Sequence, residues 1–309
     1  MYTLPFSKST EVLSYNKTFF DQPNIPVPTH WFSTDANDTT SLEAVCRQIK
    51  TIDSKSIPLG YDSESNLFIT MCEQLGSDYT SATGEHFLFN NDTNKQFCKQ
   101  FRSWYQEGLM TTQELLGSYT SSLFISTTES KSYMSIGSSA GATHQRPVKV
   151  NGAYPFEVGI APIPQMNENN QKVISQGPSL CIFKKADIQE VIASWLFVKF
   201  LTTYVELQAN FSMESGYVPA IKSVSENAKY AQWLNNANGG DNIAALSAKQ
   251  CLDQADYYFT SPAFAGSSTA RTEVGKLLTK ILSNSADGGL DALINSSFND
   301  AVETCKFFS

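Results

Sequence analysis

Three groups of side chains have types and spacings that could do chemistry. Asp62, Glu64 and Asn66 follow a short strand-like stretch, 57–61. Short polar side chains between a strand end and a helix start line ligand clefts, and they also cap helices. Ser138 and Ser139 belong to the run Gly137-Ser138-Ser139-Ala140-Gly141, which follows a second strand-like stretch, 133–137. Such a loop offers backbone N–H groups and hydroxyls to a phosphate or a polyol. It lacks the glycine spacings of nucleotide-binding loops. Tyr217 stands between Gly216 and Val218-Pro219. Proline lacks an N–H and holds Val218 extended, so the ring is fixed rigidly, either packed under a turn or facing a ligand.

Catalysis is poorly served by the same residues. A glycan hydrolase needs two positioned carboxylates, and Asp62 and Glu64 are only two apart in a loop that sets no distance. His30, His86 and His144 sit in no triad context. The 137–141 run only grazes a G-x-S-x-G elbow. Cys46, Cys72, Cys98, Cys181, Cys251 and Cys305 form no CxxC or Cys/His cluster. They predict isolated, mostly buried thiols, with room for a single bridge, and no zinc site. A non-enzyme without metal or cofactor is expected.

The elements that must position these residues are legible in outline. The 309 residues suffice for two compact lobes. Net charge is −8 without basic clusters, which argues against nucleic acid as a partner. The apolar run Trp195-Leu196-Phe197-Val198 is far too short to cross a bilayer. Residues 1–15 predict extended chain, with Pro5 suiting an edge. Helices are predicted from Thr40 or Ser41 with Leu42, Val45 and Ile49 inward, and from Leu67 to Leu75, closed by Gly76. Residues 79–92 predict a hairpin or loop, with Gly84 near its tip. The stripe Phe97, Phe101, Trp104 and Tyr105 predicts the buried face of a helix that ends at Gly108. A short helix is expected over 123–130, extended chain over 154–164, and a strand over 174–183 in which Gly177 permits a bulge or a close backbone approach. One amphipathic helix is expected from Asp187, with Ile188, Val191, Ile192, Trp195 and Leu196 on one face and a slip before Leu201, Tyr204 and Val205. Residues 226–256 predict helix broken at Gly239-Gly240. Val274, Leu277, Leu278, Ile281 and Leu282 mark a last strong helix, with a closing helix after Gly288-Gly289.

A string of these segments resembles one family. Ser215-Gly216-Tyr217-Val218-Pro219 with Lys222 resembles a GY-x-P-x-x-K signature. Pro5-Phe6, Ser9-Thr10, Leu13 and Tyr15-Asn16-Lys17 resemble its PF-x-x-ST-x-x-L-x-YN-K crossing, and Pro28-Thr29-His30-Trp31 its P-x-TW step. The family is that of extracellular solute-binding proteins of ABC transporters, of the kind that binds sugars and sn-glycerol 3-phosphate. The match runs in order along essentially the whole chain.

The resemblance implies an α/β, periplasmic-binding-protein-like type II fold of two lobes that close around a ligand. Residues 10–158 with 219–309 would form the second lobe. Residues 162–216 would belong to a first lobe that is otherwise incomplete, and 1–9, 159–161 and 217–218 would be hinge crossings. Residues 1–6 show neither a basic n-region nor an apolar core, so an export signal has been removed or the chain is a fragment. The implied ligand residues are Ser9, Asp62, Glu64, Asn66, Ser138, Ser139, Gly177, Tyr217 and Arg271. The implied ligand is a sugar or oligosaccharide, delivered to an ABC permease from an extracellular or periplasmic site, with a lipoprotein anchor on the full-length form. No aromatic lies between Tyr61 and Phe68, and Ala140 stands where sugar binders often carry tryptophan. Those departures, with Ser138-Ser139, leave sn-glycerol 3-phosphate or another phosphorylated polyol as the alternative. A glycan hydrolase, or an interaction module that has lost its pocket, are the other classes.

Overall fold

The computed structural model describes residues 3–128 and 131–308. The chain enters through two short extended pieces, β1 (Leu4–Pro5) and β2 (Ser7–Lys8), and then β3 (Glu11–Asn16) and α1 (Lys17–Asp21). Helix α2 (Leu42–Ile52) starts at Ser41, whose hydroxyl accepts from the Ala44 N–H. Strand β4 (Leu59–Tyr61) leads to α3 (Glu64–Leu75) and α4 (Asp92–Gln106). Then come β5 (Met110–Thr112), α5 (Gln113–Leu116) and α6 (Ser121–Phe124). Strand β6 (Met134–Ser138) runs into a 3-10 turn over Ser139–Gln145, and β7 (Val158–Ala161) follows.

Residues β5-β4-β6-β3-β7, in that order, form the central sheet. Strand β4 runs parallel to β5 and β6, while β3 is antiparallel to β6 and β7. Side chains alternate between faces. The register sets Leu13, Tyr15, Leu59, Tyr61, Met110, Met134, Ile136 and Ala161 on one face. That face packs under α2, α3, α4 and two later helices in the main core. The stripe Phe97, Phe101 and Trp104 is buried there, as its spacing predicts. The opposite face carries small residues, Ser14, Gly60, Ser135 and Gly137, and a smaller cluster of Phe124, Ala142, Phe156, Val158 and Ile243.

Beyond β7 come β8 (Val173–Ile174), β9 (Ser179–Leu180), α7 (Ile188–Thr203) and α8 (Val205–Ser215). They are followed by β10 (Val218–Pro219), α9 (Ala228–Asn235), α10 (Ile243–Asp253), β11 (Tyr258–Phe259), α11 (Ser267–Ser283) and α12 (Leu290–Phe307). Ile163, Val173 and Ile174 are buried in the main core, and β8 pairs with β11. Ala209 of α8 packs with Val224 and Tyr230 in a separate cluster. Three extended segments lie side by side. Leu4 pairs with Leu180, Ser9 with Gln176, and Lys8 with Val218.

Several expectations are corrected. Residues 159–161, expected as a crossing, belong to β7, the edge strand of the main sheet. The strand expected over 174–183 is interrupted at Gly177, whose φ of 100° no strand residue adopts. The short helix expected over 123–130 ends at Phe124, and residues 129 and 130 lie outside the described residues. Part of the 1–9 segment does too. Residues 64–66 are not a loop but the first turn of α3, because Ser63 caps it by accepting from the Asn66 N–H.

The largest correction concerns α7. Tyr204, with ψ of 104°, breaks the expected single helix in two. The helix is apolar around its whole circumference rather than on one face. Ile188, Ile192, Trp195, Leu196, Phe197 and Phe200 are all exposed, Phe197 at 62%. Spacing identified a helix but could not say what covers it. Cys181, just before this region, is exposed too, whereas the other five cysteines are buried thiols.

Candidate functional site

The parallel strands β4, β5 and β6 end at one edge of the sheet, where antiparallel β3 begins. In open α/β sheets ligands bind outside the carboxyl ends of such strands. Here that edge opens into a hollow of about 570 Å³. Its walls come from seven stretches of the chain. Glu11 opens β3, Asp62 and Ser63 follow β4, Asn66 lies in α3, Ser138 ends β6, and His144 and Gln145 come from the 3-10 turn. Gln176 and Tyr217 reach in from the extended segments, and Arg271 from the first turns of α11. A second hollow of about 600 Å³ shares Asp62, Ser63, Gln113 and Arg271 and runs on along α11 past Glu64.

Thus Asp62, Asn66, Ser138, Tyr217 and Arg271 converge on one hollow from positions up to 209 residues apart. Glu64 lines the adjoining hollow, and its Oε1 accepts from the Glu114 N–H at 2.8 Å. Ser9, Ser139 and Gly177 are not among the residues lining either hollow. Ser9 is buried in a backbone bridge with Gln176. The Ser139 hydroxyl accepts from the Thr10 N–H at 3.1 Å. Gly177 lies where the backbones of two segments nearly touch: a Cβ there would sit 2.1 Å from the Ser7 carbonyl oxygen. Its neighbour Gln176 reaches the hollow instead.

Each of the converging side chains is held. Asp62 Oδ1 accepts from the Thr120 N–H at 2.8 Å and from its hydroxyl at 2.6 Å. Burial raises the Asp62 carboxyl above its ordinary range, and the Thr120 hydrogen bonds oppose that shift. Ser138 caps the 3-10 turn, its hydroxyl accepting from the Ala140 N–H at 3.3 Å. Tyr217 stacks on Phe211, with centroids 6.3 Å apart, and its carbonyl accepts from the Ser212 hydroxyl. Gly216 ends α8 in the left-handed conformation, φ 75°, and turns the chain so that Tyr217 faces the hollow.

Glu11 is the residue that sequence patterns did not single out. It lies on the apolar face of β3, two positions before Leu13, and is only 1% exposed. Tyr61 donates its hydroxyl to Glu11 Oε2 at 2.6 Å, and Asn66 Nδ2 donates to Oε1 at 2.8 Å. Arg271 in turn donates to Asn66 Oδ1. Burial dominates and pushes the Glu11 carboxyl up to about 7, against the lowering by Tyr61, Asn66 and Arg271. The signal was the alternation Glu11, Leu13, Tyr15, a carboxylate on the buried face of a strand. A carboxylate there requires partners that only the fold supplies. Among the described residues no group of three or more His, Cys, Asp and Glu side chains could hold a metal ion.

The family model for bacterial extracellular solute-binding protein matches residues 1–238. No curated protein matches the chain by sequence. Among solved structures, the chain is similar to UgpB of Mycobacterium tuberculosis in complex with glycerophosphocholine. The TM-score is 0.71 at 16% identity, covering 99% of this chain and 70% of UgpB. It is also similar to the GacH receptor of Streptomyces glaucescens, solved unliganded and with acarbose, with a TM-score of 0.73 at 16% identity, covering 100% and 72%. The sugar-binding protein MalE of Xanthomonas citri gives 0.68 at 18% identity, covering 99% and 71%. Likeness at such identities concerns the fold.

Proposed function

Because the chain belongs to the bacterial extracellular solute-binding proteins, we propose that it captures a sugar or oligosaccharide for an ABC importer. The carrying observation is the hollow at the strand ends, where a carboxylate, amides, hydroxyls, a guanidinium and the Tyr217 ring converge. Sugar hydroxyls both donate and accept hydrogen bonds, so mixed polar walls suit them. The extended segments would act as the hinge, and closure would trap the ligand. The ligand groups would be Asp62, Asn66, Ser138, Tyr217 and Arg271, with Glu64 beside them. Arg271 also favours a second class, sn-glycerol 3-phosphate or another phosphorylated polyol, because a guanidinium matches phosphate geometry. The site of action would be extracellular or periplasmic, with a lipoprotein anchor on the full-length form.

A thermal-shift series with maltose, longer maltodextrins and sn-glycerol 3-phosphate tests this. A ligand at a hundredfold its Kd adds about 2.7 kcal/mol to the folded state. A shift with one class supports it; a cooperatively melting protein that none of them shifts argues against binding. For the ligand that shifts the protein, Arg271→Ala is expected to weaken affinity by about tenfold to a hundredfold, the range of a charged hydrogen bond. Tyr217→Ala is expected to weaken it by about tenfold, from lost stacking. Calorimetric titration reads both, and unchanged affinities would move the site elsewhere.

The exposed apolar helix supports the proposal that 162–216 is part of a larger first lobe. A helix apolar all round normally lies inside a core. We take its cover to be the remainder of that lobe, since 27–30% of each similar structure's own chain lies outside the match with this one. The 309-residue chain is therefore expected to self-associate through α7 and to bind an apolar dye. Replacing Trp195 and Phe197 by lysine is expected to lower both several-fold, read by sedimentation velocity and dye fluorescence. A monodisperse monomer that binds no dye would remove this support.

A further inference from the structure

The chain Tyr61–Glu11–Asn66–Arg271 joins a fully buried carboxylate to the one guanidinium that lines the hollow among the described residues. We propose that Glu11 sets the charge preference of the cleft. Ionised, it compensates Arg271 across Asn66, and the cleft takes a neutral ligand. Protonated, it leaves Arg271 to take an anionic group, such as the phosphodiester or carboxylate of a polyol. This rests on the hollow being the ligand site.

The geometry leaves the relay little freedom. The Asn66 amide has its donor end on Glu11 and its acceptor end on Arg271, so it cannot flip without breaking both. Arg271 lines the hollow and donates one of its five N–H groups to this bond. Glu11 and Arg271 attract each other across the amide. The other groups facing Glu11 are Tyr61 and Asp62 at the end of β4, and Asp62 is tied to Thr120. Behind it, Gln254 donates to the Glu11 carbonyl at 3.2 Å. On β6 its register partner is Ser138, and His144 also lines the hollow.

Because the carboxyl titrates at about 7, the preference changes within the ordinary pH range. An anion bound by the protonated form alone binds about tenfold more tightly at pH 6 than at pH 8. The probes are glycerophosphoglycerol and D-glucuronate, whose single negative charges do not titrate between those values, and maltose, which is neutral. Calorimetry at pH 6, 7 and 8 reads affinity and proton uptake together. The expected result is a tenfold slope with proton uptake for an anionic probe and a flat profile for maltose. Glu11→Gln is expected to bind that anion at pH 8 as tightly as the wild type does at pH 6, with no slope. His144→Gln is expected to keep the slope, which separates Glu11 from the histidine. A flat wild-type profile, a slope that survives Glu11→Gln, or binding of maltose but of neither anion overturns the inference. The last outcome leaves the sugar-binding proposal standing, while binding of none of the three defeats both.

Discussion

Gly177→Ala is expected to destabilise the fold by about 3 kcal/mol or more, through two separate terms. The backbone there has φ 100°, and holding a non-glycine residue in such a region costs about 1–3 kcal/mol. The new Cβ would also stand 2.1 Å from the Ser7 carbonyl oxygen and 3.0 Å from Lys8 Cα. Those atoms are backbone of β2, so they cannot rotate away. The strand must move, and overpacking of that kind costs about 1–3 kcal/mol more. Movement there would strain the pairing of β2 with β10 and the bond from Lys8 Nζ to the Gly177 carbonyl at 3.0 Å. Gly76 is the control: it too has a positive φ, 64°, but a Cβ there meets nothing within 4 Å. Denaturant titration of both variants checks this. Equal losses would mean that the two segments can part freely, and Gly177 would have no special place between them.

That contrast shows what a sequence can and cannot reveal here. Gly177 stood out as a place for a bulge or a close approach, yet only the fold shows that Ser7 is what approaches. Local rules served where the partner lies within a few residues. Gly216 ends α8 and Gly76 ends α3 because each closes its own helix. Val274, Leu277, Leu278 and Ile281 are buried because a helical stripe needs only some apolar neighbour. Arg271 and Asn66 lie 205 residues apart, and their bond has no local signal. Glu11 is the sharpest case, since its partners come from β4 and α3. Helix α7 failed differently: its apolar spacing was real, but a helix apolar all round has no preferred face for periodicity to detect.

Glu11→Gln is expected to remove about 3 kcal/mol of pH-dependent stability, seen as the difference between wild type and variant. The carboxyl has its ordinary value of 4.5 when exposed and about 7 in the fold. Below pH 4.5 both states hold the proton, and Glu11 contributes its full share. Between 4.5 and 7 the unfolded chain sheds the proton while the fold retains it, so stability falls as pH rises. Above 7 both states are ionised and the loss, about 3 kcal/mol for a raised group of this size, is complete. Glutamine mimics the protonated carboxyl: its oxygen can still accept from Asn66, and its NH2 faces Tyr61 as the carboxyl O–H would. Other raised carboxyls, such as Asp62 and Glu73, are common to both proteins and cancel in the difference. Urea unfolding from pH 4 to pH 8 should therefore give curves that diverge by this amount, with the wild type relatively stronger in acid. Parallel curves would mean that the fold solvates the Glu11 carboxylate as well as water does. The hollow would then hold a permanent negative charge opposite Arg271 at every ordinary pH, and a neutral ligand would be its only electrostatic match.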